Sequence, residues 1–263
     1  MSLLVLTALI LGAVEGLTEF LPVSSTGHLI IVGDLLNFND ERAKTFEIFI
    51  QLGAILSVVW HYRVKLWAVA SSLNDRPAQR FLLNLAIGFL PAAAVGLLLH
   101  RYIKVYLFNP TMVALALIIG GALILLIEHK PRPTRVDTLD KIDPIDALKV
   151  GLAQTAALFP GISRAGATIM GGMVSGLSRP VATEFSFFLA IPTMFAATVF
   201  DLYSNRQVLA FNDIVILLIG FVTAFVTALI VIRAFLHYVS RHNFVPFAYY
   251  RIAFGLLVLA YFW

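Results

Sequence analysis

Glu15 and Glu19 stand four positions apart in the run EGLTEFLPVSSTGH at 15–28, and Ser24, Ser25, Thr26 and His28 follow at once. On a helix that spacing puts both carboxylates on one face. Two carboxylates buried together repel, and each is costly in a hydrocarbon layer unless paired or neutralised. A divalent cation answers both problems. Hard oxygen donors suit Mg²⁺ or Ca²⁺, which take one or two carboxylates and complete their shell with water and phosphate oxygens. The alternative is a single protonated glutamate hydrogen-bonded to the backbone. Ser25 or Thr26 can cap the helix that follows, leaving free backbone N–H groups aimed at the loop. Ser25 can also attack phosphorus if a neighbour takes its proton. His28, one turn on, is either that proton carrier or a hydrogen-bonded structural residue.

A second polar run, PGISRAGAT at 160–168, interrupts the chain in the same way. Ser163 is suited to cap the next helix, but capping does not account for Arg164, whose planar guanidinium matches a phosphate and is otherwise a costly charge at depth. If the two loops meet, two helix N-termini converge with their positive dipole ends inward, which is an anion site. Gly27 and Gly166 serve such a site or pack helices closely. The candidate catalytic residues are Glu15, Glu19, Ser25, His28 and Arg164, with Glu15 and Glu19 as metal ligands. Ser24, Thr26, Gly27, Gly161, Ser163, Gly166 and Thr168 are the candidate substrate-binding positions. Metal ligands, an anion nest, an arginine, a nucleophile and a proton carrier together are what phosphoryl transfer requires.

The elements that must position these residues are apolar. Hydrophobic residues make up 60% of the 263 and charged residues 13%, about half the charged share of a soluble domain. The chain reads as an all-α polytopic membrane protein forming one domain, with no soluble appendage. The N-terminal stretch lacks the basic flank and cleavage site of a signal peptide and is expected to stay on. With no cysteine, disulfides and thiolate chemistry are excluded. Apolar stretches fall at about 2–14, 29–36, 45–62, 81–99, 111–127, 147–159, 167–177, 183–200, 214–236 and 246–262. Four are too short to cross a bilayer and come in two pairs, each broken by a polar loop. Each pair is expected to form a re-entrant hairpin, since irregular backbone at that depth must be buried in protein or line a cavity.

The order hairpin, span, span, span occurs twice, about 1–128 and about 147–263, around a polar connector at 129–146. A shift of 139 residues sets Gly12 over Gly151, Glu15 over Gln154 and Ser24 over Ser163, and IGF at 87–89 is repeated at 219–221. Three crossings per half would make an inverted-topology repeat. Twelve basic residues fall on one side and five on the other, so the positive-inside rule puts the former in the cytoplasm and both termini outside. The net charge of +4 then belongs to cytoplasmic loops, and no nucleic-acid partner is implied. The connector, with five basic and five acidic residues over 128–149, reads as solvated.

Both motifs resemble those of the undecaprenyl-diphosphate phosphatases of the bacitracin-resistance type, and the resemblance covers essentially the whole chain. EGLTEFLPVSSTGH is similar to the family's first signature. PGISRAGAT is similar to its second, except that Ala165 replaces a serine. The resemblance implies hydrolysis of undecaprenyl diphosphate to the monophosphate, recycling the lipid carrier of cell-wall synthesis. It also implies dependence on Mg²⁺ or Ca²⁺, a site facing the periplasm across the inner membrane, and an indirect link to bacitracin through the shared lipid. It carries metal binding and base work onto Glu15 and Glu19, nucleophilic attack onto Ser25 and phosphate clamping onto Arg164. Serine, histidine and metal-activated water remain open as nucleophile. The competing class is a transporter or flippase of a polyprenyl phosphate using the same groove.

Overall fold

The computed structural model describes residues 2–38, 41–107, 109–130, 133–204 and 214–263. Among the described residues there are eleven α-helices: α1 (Ser2–Thr18), α2 (Ser25–Leu35), α3 (Glu41–His61), α4 (Arg63–Ser71), α5 (Arg76–Tyr102), α6 (Pro110–His129), α7 (Pro144–Gln154), α8 (Arg164–Val174), α9 (Arg179–Ser204), α10 (Ile214–Val239) and α11 (Val245–Phe262). Among the described residues there is no strand, only an isolated bridge between Val136 and Leu177. Of these described helices, five are long and apolar enough to cross a membrane, and α3 with α4 makes a sixth candidate bent by 68°. The protein is a multi-pass membrane protein.

Local chemistry explains several boundaries. Asn109 caps α6 by accepting from the Met112 N–H, with Pro110 just inside the helix, the position where its missing N–H costs nothing. Asp143 and Asp146 form a reciprocal capping box at the start of α7. Helix α4 had no counterpart in the apolar pattern, which ended a span at 62. Its Val64 and Trp67 are exposed, and the Arg63 guanidinium lies 4.8 Å over the Trp60 ring. Basic and aromatic residues so mixed belong at a membrane–water boundary.

Two close approaches organise the packing. Helix α1 lies along α10 where a Cβ on Gly12 would stand 2.5 Å from the Gly220 carbonyl oxygen; α7 lies along α5 where a Cβ on Gly151 would stand 2.5 Å from that of Gly88. Gly88 and Gly220 are the central residues of the two IGF triplets, so the glycines paired by the shift make the same contact, each reaching from its own half to the other. Backbone opposes both positions, and backbone cannot swing aside. Gly12→Val and Gly151→Val are each expected to destabilise by about 1–3 kcal/mol, read as a lower melting temperature of the detergent-solubilised protein. An unchanged melting temperature would mean that these helices do not approach so closely.

Helix α9 runs through the main core, where Phe185, Phe187, Phe188 and Leu189 are fully buried. Phe20, in the first polar loop, meets Phe187 edge to face at 5.4 Å, which anchors that loop to α9. The connector differs from its expected solvated state. Val136, Leu139 and Ile142 are buried, and Val136 is held to the turn after α8 by backbone bonds through Gly176 and Ser178. Three apolar side chains in a charge-balanced stretch suffice to dock it.

Candidate functional site

Each polar loop ends on a serine in the left-handed region: Ser24 has φ 70° and Ser163 φ 72°. That conformation costs a side-chain-bearing residue free energy and persists only where surrounding structure enforces it. The helices that start just after these serines, α2 and α8, are both 11 residues long. Glu19 lies one residue past α1, and its N–H still reaches the Glu15 carbonyl at 2.9 Å. The helical spacing of the two glutamates therefore survives into the loop.

Glu19 is the hub. Its Oε2 accepts a 2.6 Å hydrogen bond from Ser25 Oγ, and its Oε1 pairs with Arg164 Nη2 at 3.2 Å. Arg164 also donates from Nη1 to the Ser186 carbonyl at 3.0 Å and lies over the Phe20 ring. Its Nε–H is buried without a partner. Hydroxyl, carboxylate and guanidinium thus form a continuous line linking the two motifs. The line opens on a cavity of about 490 Å³ lined by Glu15, Glu19, Ser24, Ser25, Thr26, Gly161, Ser163 and Arg164. The rest of its wall is partly apolar, with Leu29, Ile30, Leu158 and Met194 among the lining residues.

Other motif residues stand away from the cavity. Gly27 packs against Leu117 and Val113 of α6. Thr168 is fully buried, bonded to Ser186 and to the Arg164 carbonyl, and Gly166 lies against the Arg251 guanidinium. Ala165 is buried in the main core, so the hydroxyl it lacks would face packing, not the cavity. His28 stacks on Phe254 at 4.1 Å, with Nδ1 2.7 Å from the Ser24 carbonyl and Nε2 2.6 Å from the Tyr250 hydroxyl. A carbonyl only accepts, so Nδ1 donates, and in the neutral ring Nε2 accepts from the tyrosine. Both ring nitrogens are engaged, and the carboxylate touching Ser25 is that of Glu19.

The capping expectation holds in one half only. Ser163 accepts from the Gly166 N–H at 3.1 Å. In α2 the residue at the cap is Ser24, not Ser25 or Thr26, and its side chain makes no capping bond. First-turn N–H groups without a side-chain acceptor are suited to a phosphate oxygen.

Several cavity residues carried no signal in the motifs: Gln51, Thr193 and Asp201 line it with Glu47 and Gln154. Glu47 had a partial signal as a charge opening a span, and Gln154 as the partner of Glu15 under the shift. Among the described residues no group of three or more His, Asp and Glu could by itself hold a metal ion. Glu19 is committed to Ser25 and Arg164, and Glu15 lines the cavity with the carboxylates of Glu47 and Asp201. That donor set suits a cation whose remaining ligands are phosphate oxygens and water, and not a protein-built cage.

The match to known proteins is extensive. The relatives found include an undecaprenyl-diphosphatase of Nitrosospira multiformis, 60% identical over 97% of this chain and 94% of the relative. Another, from Methylobacillus flagellatus, is 56% identical over 99% of both chains, and a third, from Aromatoleum aromaticum, is 58% identical over 96% of this chain and 93% of its own. The profile of the family described as bacitracin resistance protein BacA matches residues 8–257, a stretch that includes both polar loops and the greater part of every helix, and the chain belongs to that family.

Proposed function

We propose that the protein hydrolyses undecaprenyl diphosphate to undecaprenyl phosphate and inorganic phosphate, returning a lipid carrier to cell-wall synthesis. Relatives that cover nearly the whole chain carry the corresponding name, and the observation that carries the chemistry is the Ser25–Glu19–Arg164 line at 2.6 and 3.2 Å. Glu19 takes the Ser25 proton as Oγ attacks the terminal phosphorus, and the bond from that phosphorus to the bridging oxygen breaks, releasing the lipid monophosphate. Glu19 passes that proton to the departing phosphate, and its carboxylate, free again, activates the water that attacks phosphorus, breaks the bond to Ser25 Oγ, releases inorganic phosphate and restores the serine hydroxyl. Arg164 and the open first turn of α2 meet the charge that develops on phosphate. Bound beside the diphosphate and held by Glu15, with Glu19 nearby, Mg²⁺ or Ca²⁺ would supply charge neutralisation. The apolar side of the cavity suits the start of an isoprenyl chain.

The topology that goes with this reading is an inverted repeat of two re-entrant hairpins, each followed by three spans, with the cavity and both termini on the periplasmic side of the inner membrane. It is supported by the glycine contacts repeated between halves, by two serines of equal backbone strain, and by α2 and α8, whose bounds differ by the same 139 residues. The chain has no cysteine, so single cysteines can be placed at Asp40, Arg101, Asn74 and Thr138; Asp40 lies outside the described residues. The first two are expected to react with an impermeant thiol reagent in intact cells and the last two to stay protected. Labelling of Asn74 and Thr138 would overturn the inverted arrangement.

The function is tested by reconstituting the purified protein in liposomes with a long isoprenyl diphosphate and Mg²⁺ and following phosphate release. Release that Ser25→Ala abolishes is expected. Movement of polyprenyl phosphate across the bilayer without phosphate release would make the chain a transporter.

A further inference from the structure

Arg251 is a charged residue that neither motif contains and the mechanism does not use. It is 1% exposed on α11, and no carboxylate pairs with it among the described residues. Its guanidinium instead donates to five backbone carbonyls: Nε to Leu117 at 3.3 Å, Nη1 to Pro22 and Ile162 at 3.1 and 2.8 Å, and Nη2 to Ala116 and Gly161 at 3.2 and 2.9 Å. That uses every N–H the side chain has. The acceptors come from three places: the first loop, the second loop and the middle of α6. Gly120 makes room, since a Cβ there would stand 2.1 Å from Nη2.

Irregular backbone within a membrane leaves carbonyls that must be satisfied by protein, and any buried donor could do that for one loop. One rigid fork that serves both loops does more. Pro22 is two residues before Ser24, and Ile162 immediately precedes Ser163. Fixing Pro22 and Ile162 on the same Nη1 fixes the separation of the strained serines, and with it the starts of α2 and α8 that carry Ser25 and Arg164. We propose that Arg251 is a positioning residue: it sets the distance between the loops at which Ser25 and Arg164 converge on Glu19. As a statement about catalysis this rests on the phosphatase reading above.

Two variants separate positioning from mere stability. Arg251→Lys keeps the charge but offers three donors on a flexible stem in place of a planar fork; Gly120→Ala leaves the arginine and displaces it. Misplacement of reacting groups by about 1 Å costs up to about a hundredfold, so each variant is expected to lower kcat by about 10- to 100-fold, with KM within about threefold. Amide hydrogen exchange should speed up at 20–24 and 159–163 together, with the spans protected as in the parent. In an Arg164→Lys background, Arg251→Lys should cost little more, because both act on the same convergence. Near-parental turnover per folded molecule, an undiminished penalty in that background, or unchanged exchange in both loops would overturn the proposal. If Arg251→Lys does not fold, Gly120→Ala decides on the same readouts. A parent protein that releases no phosphate sinks the phosphatase reading, whereas loop exchange in the variants still decides whether Arg251 ties the loops together.

Discussion

Glu19→Gln is expected to lower turnover by about 10²–10⁴-fold, the range for loss of a general base. The amide keeps the shape of the side chain and can still accept from Ser25 Oγ, but it has no basicity with which to take the proton. It also removes the charge that pairs with Arg164, where both side chains are only 11% exposed. Breaking a buried pair on one side costs up to about 3–5 kcal/mol, so rates must be compared per folded molecule, at a temperature where the variant remains folded. Glu15→Gln, made in parallel, should leave the bond from Ser25 to Glu19 in place and mainly raise the Mg²⁺ concentration needed for half-maximal rate. If Glu19→Gln turned over at the parental rate, proton transfer through this carboxylate would be ruled out. The base would then have to be sought elsewhere in the cavity.

Arg164→Lys should reduce turnover by about 10²–10³-fold, the cost of losing one preorganised donor to transition-state charge. Lysine keeps the charge and most of the stem. It cannot reproduce a planar fork that reaches Glu19 with one nitrogen and the Ser186 carbonyl with the other. A residue that only snorkels or packs would tolerate the exchange, because the methylene stem does that work. The measurement is phosphate release by detergent-purified protein, with melting temperatures matched between variant and parent. Turnover near the parental level would take the second loop out of the chemistry and leave its bond to Glu19 a packing feature.

Much of this was legible along the chain. The apolar stretches anticipate ten of the eleven helices within a few residues, and the two broken pairs mark the loops that flank the cavity. Segment length and the interruption of an apolar run by Pro, Gly and Ser are local properties, so sequence reports them directly. The shift of 139 that aligned Gly12 with Gly151 becomes visible in space as one glycine contact made twice. Helix α4 escaped because it is only nine residues long and opens on Arg63 and Lys65, so that along the chain it reads as the polar end of the preceding span.

Only the tertiary structure decided which polar residues meet. By spacing, His28 was a natural neighbour for Ser25, one turn along the same helix. Instead, the Ser24 carbonyl and Tyr250, 222 residues away, take its two nitrogens, and Glu19, held across a loop, reaches the serine. Arg251 carries no signal in the sequence beyond a charge within an apolar span, since its meaning depends on carbonyls from three distant segments. Residue type and local spacing determine what a group can do and which element carries it. Which partner it finds depends on how helices far apart in the chain pack, and on loop carbonyls that, removed from water, need donors from other segments.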